Sequence, residues 1–535
     1  MGDDMAAGAL ELAGAETKPI TFQPSSARID LFSGLLRAKS EHGGASVAVI
    51  DGDGRKLTYT EVVRAAFALG AALKARTEKG ENVGILLPTG VGAIVAFYAV
   101  LAYGRVPAML NFTAGARNLK SAMKAAKIKR IVTAEKFIEL GSLEPLIEEL
   151  KTEAEIINLE PVREGLTLGN KLAGALGPFF PRLFRTPAQH QKPGVILFTS
   201  GTEGEPKGVV LSHENVMANV QQVRAHIGLD PKTDAVFNPL PTFHCFGLTV
   251  GAVLPLVSGV TAICHPSPLQ PKEIAKRIRK TKSTILLATD TFISQYTRAG
   301  SEGDLDSVRL AVCGAERVRD ETRQLVRKKF NIEILEGYGA TEAAPVIAAN
   351  KVGANKPGTV GLPMAGMELD LVPVEGIEEG GRLRVRGPNV MQGYLRASAP
   401  GVLEGTNDGW HDTGDIVNID QDGFVRIMGR VKRFAKIGGE MVSLAVVENC
   451  ASAIWPDHMH AAATLPDSRK GEQIILLSDS ADANRSDILA WAQNHGTPEI
   501  AVPRKVIHVD EIPVLGTGKV DYGAVQKLAL QLTEA

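Results

Sequence analysis

The sequence predicts an α/β protein: a large N-terminal domain of layered sheets and helices with a small barrel-like part, then a small mobile C-terminal α+β domain. Three observations carry that expectation. Short runs rich in valine and isoleucine alternate with helix-like segments early in the chain. Later runs, such as "GRLRVRG" and "GFVRIMGR", have the look of hairpin or small-barrel pieces. After "GRVKRFAKIGGEMVS" the pattern changes to a compact set of helices and strands. The length agrees, because 535 residues exceed what one hydrophobic core usually serves.

Taken in order, residues 1–25 read as a flexible leader. "MGDDMAAGALELAGAETKPI" begins with two acids where a secretory signal carries lysine or arginine, and lacks a long apolar centre. Position 6 is alanine, which misses the myristoylation pattern. An N-terminal domain is expected over 26–430. Its strands are "ASVAVID", "NVGILLP", "RIVTA", "EIINL" and "GVILFTS", with "YTEVVRAAFALGAALKART" as a helix, and this alternation implies largely parallel sheets. The uncharged run Val83–Gly104 is long enough to span a membrane on paper, but Pro88, Thr89 and Gly90 divide it into a strand, a turn and a helix from about Val91. A second such stretch, from Ala235, is broken by prolines and carries two histidines, which favours buried elements around a cleft. Strands "SVRLAVCGAE" and "IEILEGYGATE" follow. The mobile C-terminal domain is expected over 431–535, with helices at about 443–453 and 485–495 and strands near 460, 474 and 505.

Composition excludes several function classes. With 59 basic and 60 acidic residues the net charge is −1, which argues against coating nucleic acid. Cys245, Cys264, Cys313 and Cys450 lie far apart without CxxC spacing, so neither a zinc site nor a disulfide scaffold is indicated, and a reducing, cytoplasmic setting fits.

The stretch "TSGTEGEPKG", 199–208, concentrates glycines, hydroxyls and one lysine behind an apolar run. Glycine lets backbone N–H groups approach an anion. The Walker A pattern nonetheless fails, because Lys207 is followed by Gly208 where a magnesium-binding hydroxyl is needed. "FTSGTEGEPKGVVLSHENV" instead resembles the phosphate loop of the acyl-adenylate-forming superfamily, the AMP-dependent synthetases and ligases. Further matches come in that family's order: "NPLPTFHCFGL", "CGAE", "EGYGATE", "WHDTGDI", "GRVKRFAKIGGEMVS" and "LGTGKVD". Segments such as "ILEGYGATEAAPVIAAN" and "RFAKIGGEMVSLAVVE" are similar to the acyl-ACP synthetase half of bifunctional 2-acylglycerophosphoethanolamine acyltransferase/acyl-ACP synthetases. The acyltransferase motif and membrane segments that precede this half in those proteins have no counterpart here, which implies a stand-alone synthetase.

The resemblance implies a two-step reaction, in which a carboxylate and ATP give acyl-AMP and a thiol then displaces AMP. The first step brings an anion against a polyanion, so cationic and dipolar groups must offset the repulsion. By resemblance, Thr199, Ser200, Gly201, Thr202, Gly204 and Lys207 enclose the β- and γ-phosphates. Glu342 holds Mg2+, as a carboxylate suits a hard cation, and Thr341 donates to the α-phosphate. Gly314, Ala315 and Glu316 border the adenine, and Tyr338 beside Gly339 stacks on it, a core tyrosine being the competing reading. Asp415 accepts from the ribose hydroxyls, and Arg430 joins it there. His244 stands near the carboxylate and the thiol, although a lone histidine between phenylalanines also suits a core. Lys432 is the implied hinge. Lys519 enters for adenylation, and Lys436, Gly438 and Gly439 replace it for the thioester step.

The cofactors implied are ATP and Mg2+, and the acid is a fatty acid. The thiol acceptor expected from the resemblance is acyl carrier protein, with coenzyme A as the alternative. Lys432, Arg433, Lys436, Arg469, Lys470, Arg504 and Lys505 offer a docking surface for an acidic carrier, yet residues from 431 onward hold ten basic and thirteen acidic side chains. No transmembrane segment is expected, and peripheral membrane association stays open. An aryl- or amino-acid-activating enzyme would share every ATP residue, although no buried acid for an amine stands near "FHCFG". A non-catalytic binding protein has no need of Lys207, Glu342, Asp415 and Lys519 together.

Overall fold

The computed structural model describes residues 21–200, 205–437, 440–467, 471–514 and 520–534. Among these, the large N-terminal part is built on two mixed sheets. In the nine-stranded one, Ala235–Asn238, Ile285–Ala288, Leu310–Cys313 and Glu333–Gly339 run parallel, with Thr261–Cys264 and Val47–Ile50 parallel on the other side of Ala235–Asn238. Antiparallel strands close both edges. The eight-stranded sheet has parallel Asn82–Ile85, Val106–Met109, Arg130–Thr133, Glu155–Asn158 and Pro193–Ser200, then antiparallel Pro206–Ser212.

Helix Val91–Ala102 belongs to the core shared by these sheets. All but one of its twelve residues are buried. Its apolarity on every side therefore reflects burial within protein. No helix among the described residues is long and apolar enough to cross a membrane. The second uncharged stretch forms strand Ala235–Asn238, a wide-turned π-helix at Phe246–Val253 that continues as α-helix Leu254–Ser258, and strand Thr261–Cys264.

The expected barrel-like pieces form a four-stranded antiparallel sheet, Glu368–Val372, Gly381–Arg386, His411–Ile419 and Val425–Arg430. Its Leu383, Val385, Val417 and Val425 share a small core with Tyr338 and Ile347. The hairpin Gly393–Arg396 and Ala399–Gly405 instead extends the eight-stranded sheet, through the pairing of Gly393–Arg396 with Pro206–Ser212.

The smaller C-terminal domain is a five-stranded sheet with helices Leu444–Ile454, Arg485–His495 and Tyr522–Glu534. Two apolar clusters of its own hold it together. Residues 1–20 of the expected leader lie outside the described residues, but Phe22 packs on the main core and Pro24–Ala27 forms a helical turn. Residues 22–25, expected in the leader, thus belong to the fold.

Candidate active site

The glycine-rich loop joins two antiparallel strands. Thr199 faces Lys207 and the Ser200 backbone faces Pro206 across the ladder. That differs from a Walker loop, which leads into a helix N-terminus. Gly201, Thr202 and Gly204 lie outside the described residues. The Lys207 ammonium sits 5.5 Å above the ring of Tyr394, within the range of a cation–π contact. Tyr394 stands on the next strand, opposite Val209, and its hydroxyl donates to Glu342 Oε1 at 2.7 Å. Burial, reinforced by the Glu342 charge, pushes the Tyr394 hydroxyl far above its ordinary pKa, so it remains a donor.

Glu342 belongs to the short helical turn Thr341–Ala343, just after strand Glu333–Gly339 ends. Its carbonyl accepts from the Met391 N–H at 2.7 Å. One Tyr394 bond leaves carboxylate lone pairs for a hard cation. No group of three or more His, Cys, Asp or Glu among the described residues is placed to hold a metal ion. A single carboxylate fits Mg2+ that arrives with nucleotide phosphates as its other ligands.

Asp415 is set by a bulge. Arg382 pairs with Ile416 but Arg384 with Asp412, so the strand His411–Ile419 carries extra residues between these points. Gly414 takes φ +70° there, which favours glycine. Thr413 Oγ1 donates to the Leu383 carbonyl at 2.9 Å and accepts from the Asp415 N–H at 3.1 Å, replacing ladder bonds. Asp415 is buried, with Oδ2 accepting from the Tyr338 hydroxyl at 2.5 Å and Oδ1 from Arg430 Nε at 3.0 Å. Burial, with Asp415 alongside, holds the Tyr338 hydroxyl protonated. Tyr338 is thus both part of a core cluster and a partner of Asp415.

The remaining pieces converge on the same place. Gly314 and Ala315 turn at the end of strand Leu310–Cys313, with Ala315 at φ +69°. A Cβ on Gly314 would stand 3.4 Å from the Phe246 ring. Glu316 accepts from the Thr291 N–H and hydroxyl at 3.1 and 3.0 Å, which closes the start of helix Asp290–Ala299. His244 is half-buried, its ring 4.9 Å from Phe243. The neighbouring Cys245 thiol is pushed up to about 12 by burial, and the charge of Glu342 adds to the shift. Beside Thr242 lies an apolar void of about 10 Å³, the room of a single water, lined by Ile94, Phe97, Tyr98, Met109, Leu248 and Val253.

Two members of the cluster carried no role in the sequence reading. Tyr394 connects Lys207 to Glu342. His411 lies within the fields of Glu342, Asp412 and Asp415, and burial outweighs their pull to lower its pKa. His411 lies inside "WHDTGDI" and Tyr394 on strand Gly393–Arg396, but only the folded sheets bring both to Glu342.

Arg430 leads into the short turn Val431–Arg433, where Lys432 is exposed. Lys436 pairs with Glu375 at 3.3 Å. Gly438, Gly439, Arg469, Lys470 and Lys519 lie outside the described residues. Arg433 does not offer the free docking charge expected of it. It is half-buried, bonded to the Ala462 carbonyl and Glu448 at 2.6 and 2.5 Å, and 3.6 Å from the Tyr522 ring centre. Arg504 is paired with Asp467.

Residues 36–395 match the family model described as AMP-binding enzyme. Among curated relatives, the long-chain-fatty-acid–CoA ligase of Bacillus subtilis (strain 168) is 28% identical over 505 residues, 87% of this chain and 89% of that protein. Feruloyl-CoA synthase of an Amycolatopsis species is 28% identical over 495 residues, 89% of this chain and 94% of its own. The fold matches ATP-bound MatB from Rhodopseudomonas palustris with a TM-score of 0.81 at 24% identity, covering 94% of this chain and 99% of that one. The chain therefore belongs to the AMP-binding enzyme family, the acyl-adenylate-forming superfamily, and is an AMP-forming acid–thiol ligase.

Proposed function

We propose that this enzyme joins a fatty acid to coenzyme A in two half-reactions. A carboxylate oxygen attacks the α-phosphorus of ATP and pyrophosphate leaves, giving the acyl-AMP mixed anhydride. The thiolate of coenzyme A then attacks the acyl carbon, and AMP leaves with the bonding pair. The observation that carries this reading is the meeting of Lys207, Tyr394, Glu342, His411, Asp415, Tyr338 and Arg430 in one cluster.

In this reading Asp415 and Arg430 hold the ribose, and the Gly314–Ala315 turn with Tyr338 borders the adenine. The loop from Thr199 to Lys207 follows the outer phosphates, and Thr341 donates to the α-phosphate. Glu342 is the residue that would hold Mg2+, which lowers the charge of the phosphates when bound. His244 orients the acid or the thiol. Lys519 bridges the carboxylate and α-phosphate during adenylation, and the 436–439 segment takes its place for thiol attack after a turn about Lys432, the boundary proposed between domains 26–430 and 431–535.

Coenzyme A is preferred over acyl carrier protein on two grounds. The relatives reported above include coenzyme A ligases. Two of the basic residues expected to dock a carrier, Arg433 and Arg504, are already paired within the domain. A cytoplasmic setting, where ATP and coenzyme A are supplied, goes with this reading.

Pyrophosphate release across saturated fatty acids of graded length, aryl acids and amino acids tests the acid, and coenzyme A against a holo acyl carrier protein tests the acceptor. Fatty acids with coenzyme A are expected to turn over. Turnover confined to aryl or amino acids, or thioester formed on the carrier alone, overturns the reading. Lys519→Ala is expected to abolish acyl-AMP formation while thiolysis of supplied acyl-AMP continues, because only the first step opposes two anions there. Stopped-flow assay of each half-reaction checks it.

A further inference from the structure

Helix Leu168–Leu176 faces the wrong way for an ordinary surface helix. Its buried residues are Ala173 and Gly174, while Leu168, Leu172 and Leu176 point to solvent. The reason is close packing on helix Tyr59–Lys74. A Cβ on Gly174 would stand 3.0 Å from that of Ala68, and one on Gly177 would lie 2.4 Å from the Phe67 ring. With small residues at the contact, the leucines have only the outer face left. The chain then continues through Phe179, Phe180 and Leu183, which are 63%, 56% and 79% exposed.

This apolar surface is rigidly mounted. Arg185 donates to Asp30 and Ser33 at 2.6 and 2.9 Å, fixing the segment to the start of helix Leu31–His42. Lys39 donates to the Pro178 carbonyl at 3.1 Å and lies 5.7 Å from the Phe179 ring centre. Solvated surfaces seldom present so many neighbouring large apolar side chains without a partner.

Its charge is one-sided. Residues 165–192 hold four lysines and arginines and no acid, and with Arg185 neutralised by Asp30, Lys171, Arg182 and Lys192 remain. Lys171 and Arg182 are exposed on the segment, and Arg64 runs beside Gly174. Two copies pressed face to face would oppose like charges across a twofold axis. Leucine and phenylalanine tips among lysine and arginine instead match the interface of an anionic bilayer, with apolar side chains below the headgroups and cations among the phosphates.

We infer that residues 168–183 form a docking face for an anionic lipid surface. Docking would place the enzyme at a phase where sparingly soluble acids accumulate. The site is separate from the nucleotide cluster, and its test contains neither acid nor ATP, so its failure is distinguishable from failure of the acid assignment.

Co-sedimentation of the full chain with vesicles of phosphatidylcholine and phosphatidylglycerol, against phosphatidylcholine alone, tests it. The wild type is expected to bind the anionic vesicles about tenfold more tightly. The variant carrying Leu168→Ser, Phe180→Ser and Leu183→Ser is expected to lose about tenfold or more of that binding with an unchanged melting midpoint, since all three side chains are exposed. A second variant, Lys171→Glu with Arg182→Glu, is expected to lose the preference for anionic lipid. Absence of wild-type binding, or equal binding by the serine variant, overturns the inference. So does a concentration-dependent dimer, seen by analytical ultracentrifugation, that the serine variant abolishes without any change in vesicle binding.

Discussion

Asp415 is buried with both oxygens in use, Oδ2 to Tyr338 and Oδ1 to Arg430. A carboxylate accepts about four hydrogen bonds, so two sites remain for a pair of ribose hydroxyls without displacing either partner. Asp415→Ala is expected to weaken ATP binding at least about tenfold by calorimetry, and to cost about 1–3 kcal/mol in stability by stranding the buried Tyr338 hydroxyl. Tyr338→Phe separates the two, since it removes the stranded donor and keeps the ring. Arg430 is largely exposed, so Arg430→Ala should lower ATP affinity with little loss of stability. His213 supplies a pH dependence. Its Nδ1 accepts from the Leu31 N–H at 3.3 Å, and burial, with Asp30 and Arg185 opposing one another nearby, lowers its pKa to about 4. The unfolded chain, near 6.5, then binds the proton first as pH falls. The neutral imidazole's contribution is present above about 6.5 and lost towards 4, at most about 3 kcal/mol. Urea midpoints at pH 7 and 5 should differ less in His213→Gln than in the wild type. Asp415, Glu342 and Lys207 were named in the sequence through motifs that resemble the superfamily's, and the folded chain brings the three into one neighbourhood. Tyr394 and His411 were not so named, because each gains its place only when strands distant in sequence pair.

At the level of elements, the uncharged stretches illustrate why patterning alone stops short. An apolar run has the same composition whether lipid or protein surrounds it, and only Pro88, Thr89 and Gly90 signalled a strand, turn and helix in 82–102. The π-helix Phe246–Val253 carried no such signal, since its wide turns follow from close approach to the preceding loop. Asn238 shows the contact: its Nδ2 donates to the Gly247 carbonyl at 2.9 Å and its Oδ1 accepts from Leu240 N–H at 3.1 Å. Thr89 Oγ1 accepts from the Thr242 N–H at 3.0 Å, so the 238–244 segment is held from both sides. A Cβ on Gly251 would stand 2.2 Å from Asn238 Nδ2. Gly251→Ala must therefore displace Asn238, at a cost of about 1–3 kcal/mol. It should also raise KM for the acid more than KM for ATP, because the segment that moves leads to His244. Denaturation midpoints and steady-state kinetics with each substrate varied check both parts. An equal rise in the two KM values would separate this element from acid binding.

For the whole molecule, the question is whether the C-terminal unit must turn between half-reactions. Sequence pattern gave the two cores because each side contains enough apolar residues to form its own, and the clusters from Ala435 onward are indeed self-contained. It gave nothing on their relative placement, which depends on a few surface contacts. Those contacts include two ion pairs, Lys436 with Glu375 at 3.3 Å and Arg298 with Asp457 at 3.6 Å, beside the approach of Met441 to Gly376. Exposed pairs of this kind contribute about 0–1 kcal/mol each, so they select an arrangement without fixing it. The geometry also offers a lock. A Cβ built on Gly376, in the N-terminal unit, lies 3.5 Å from the Met441 Cβ across the junction, within the span of about 3.5–4.5 Å that a disulfide requires. Gly376 has φ +82°, so a cysteine there carries about 1–2 kcal/mol of strain. The four native cysteines are buried and free, which limits competing pairings. Oxidised Gly376→Cys/Met441→Cys enzyme should retain one half-reaction within about threefold and lose the other by about a hundredfold or more. Reduction should restore both. Thiol titration establishes that the bond has formed, and acyl-AMP formation and thiolysis are then timed separately. If the bonded enzyme runs both steps at the rates of its reduced form, one fixed arrangement serves the whole reaction, and Lys432 is not a hinge.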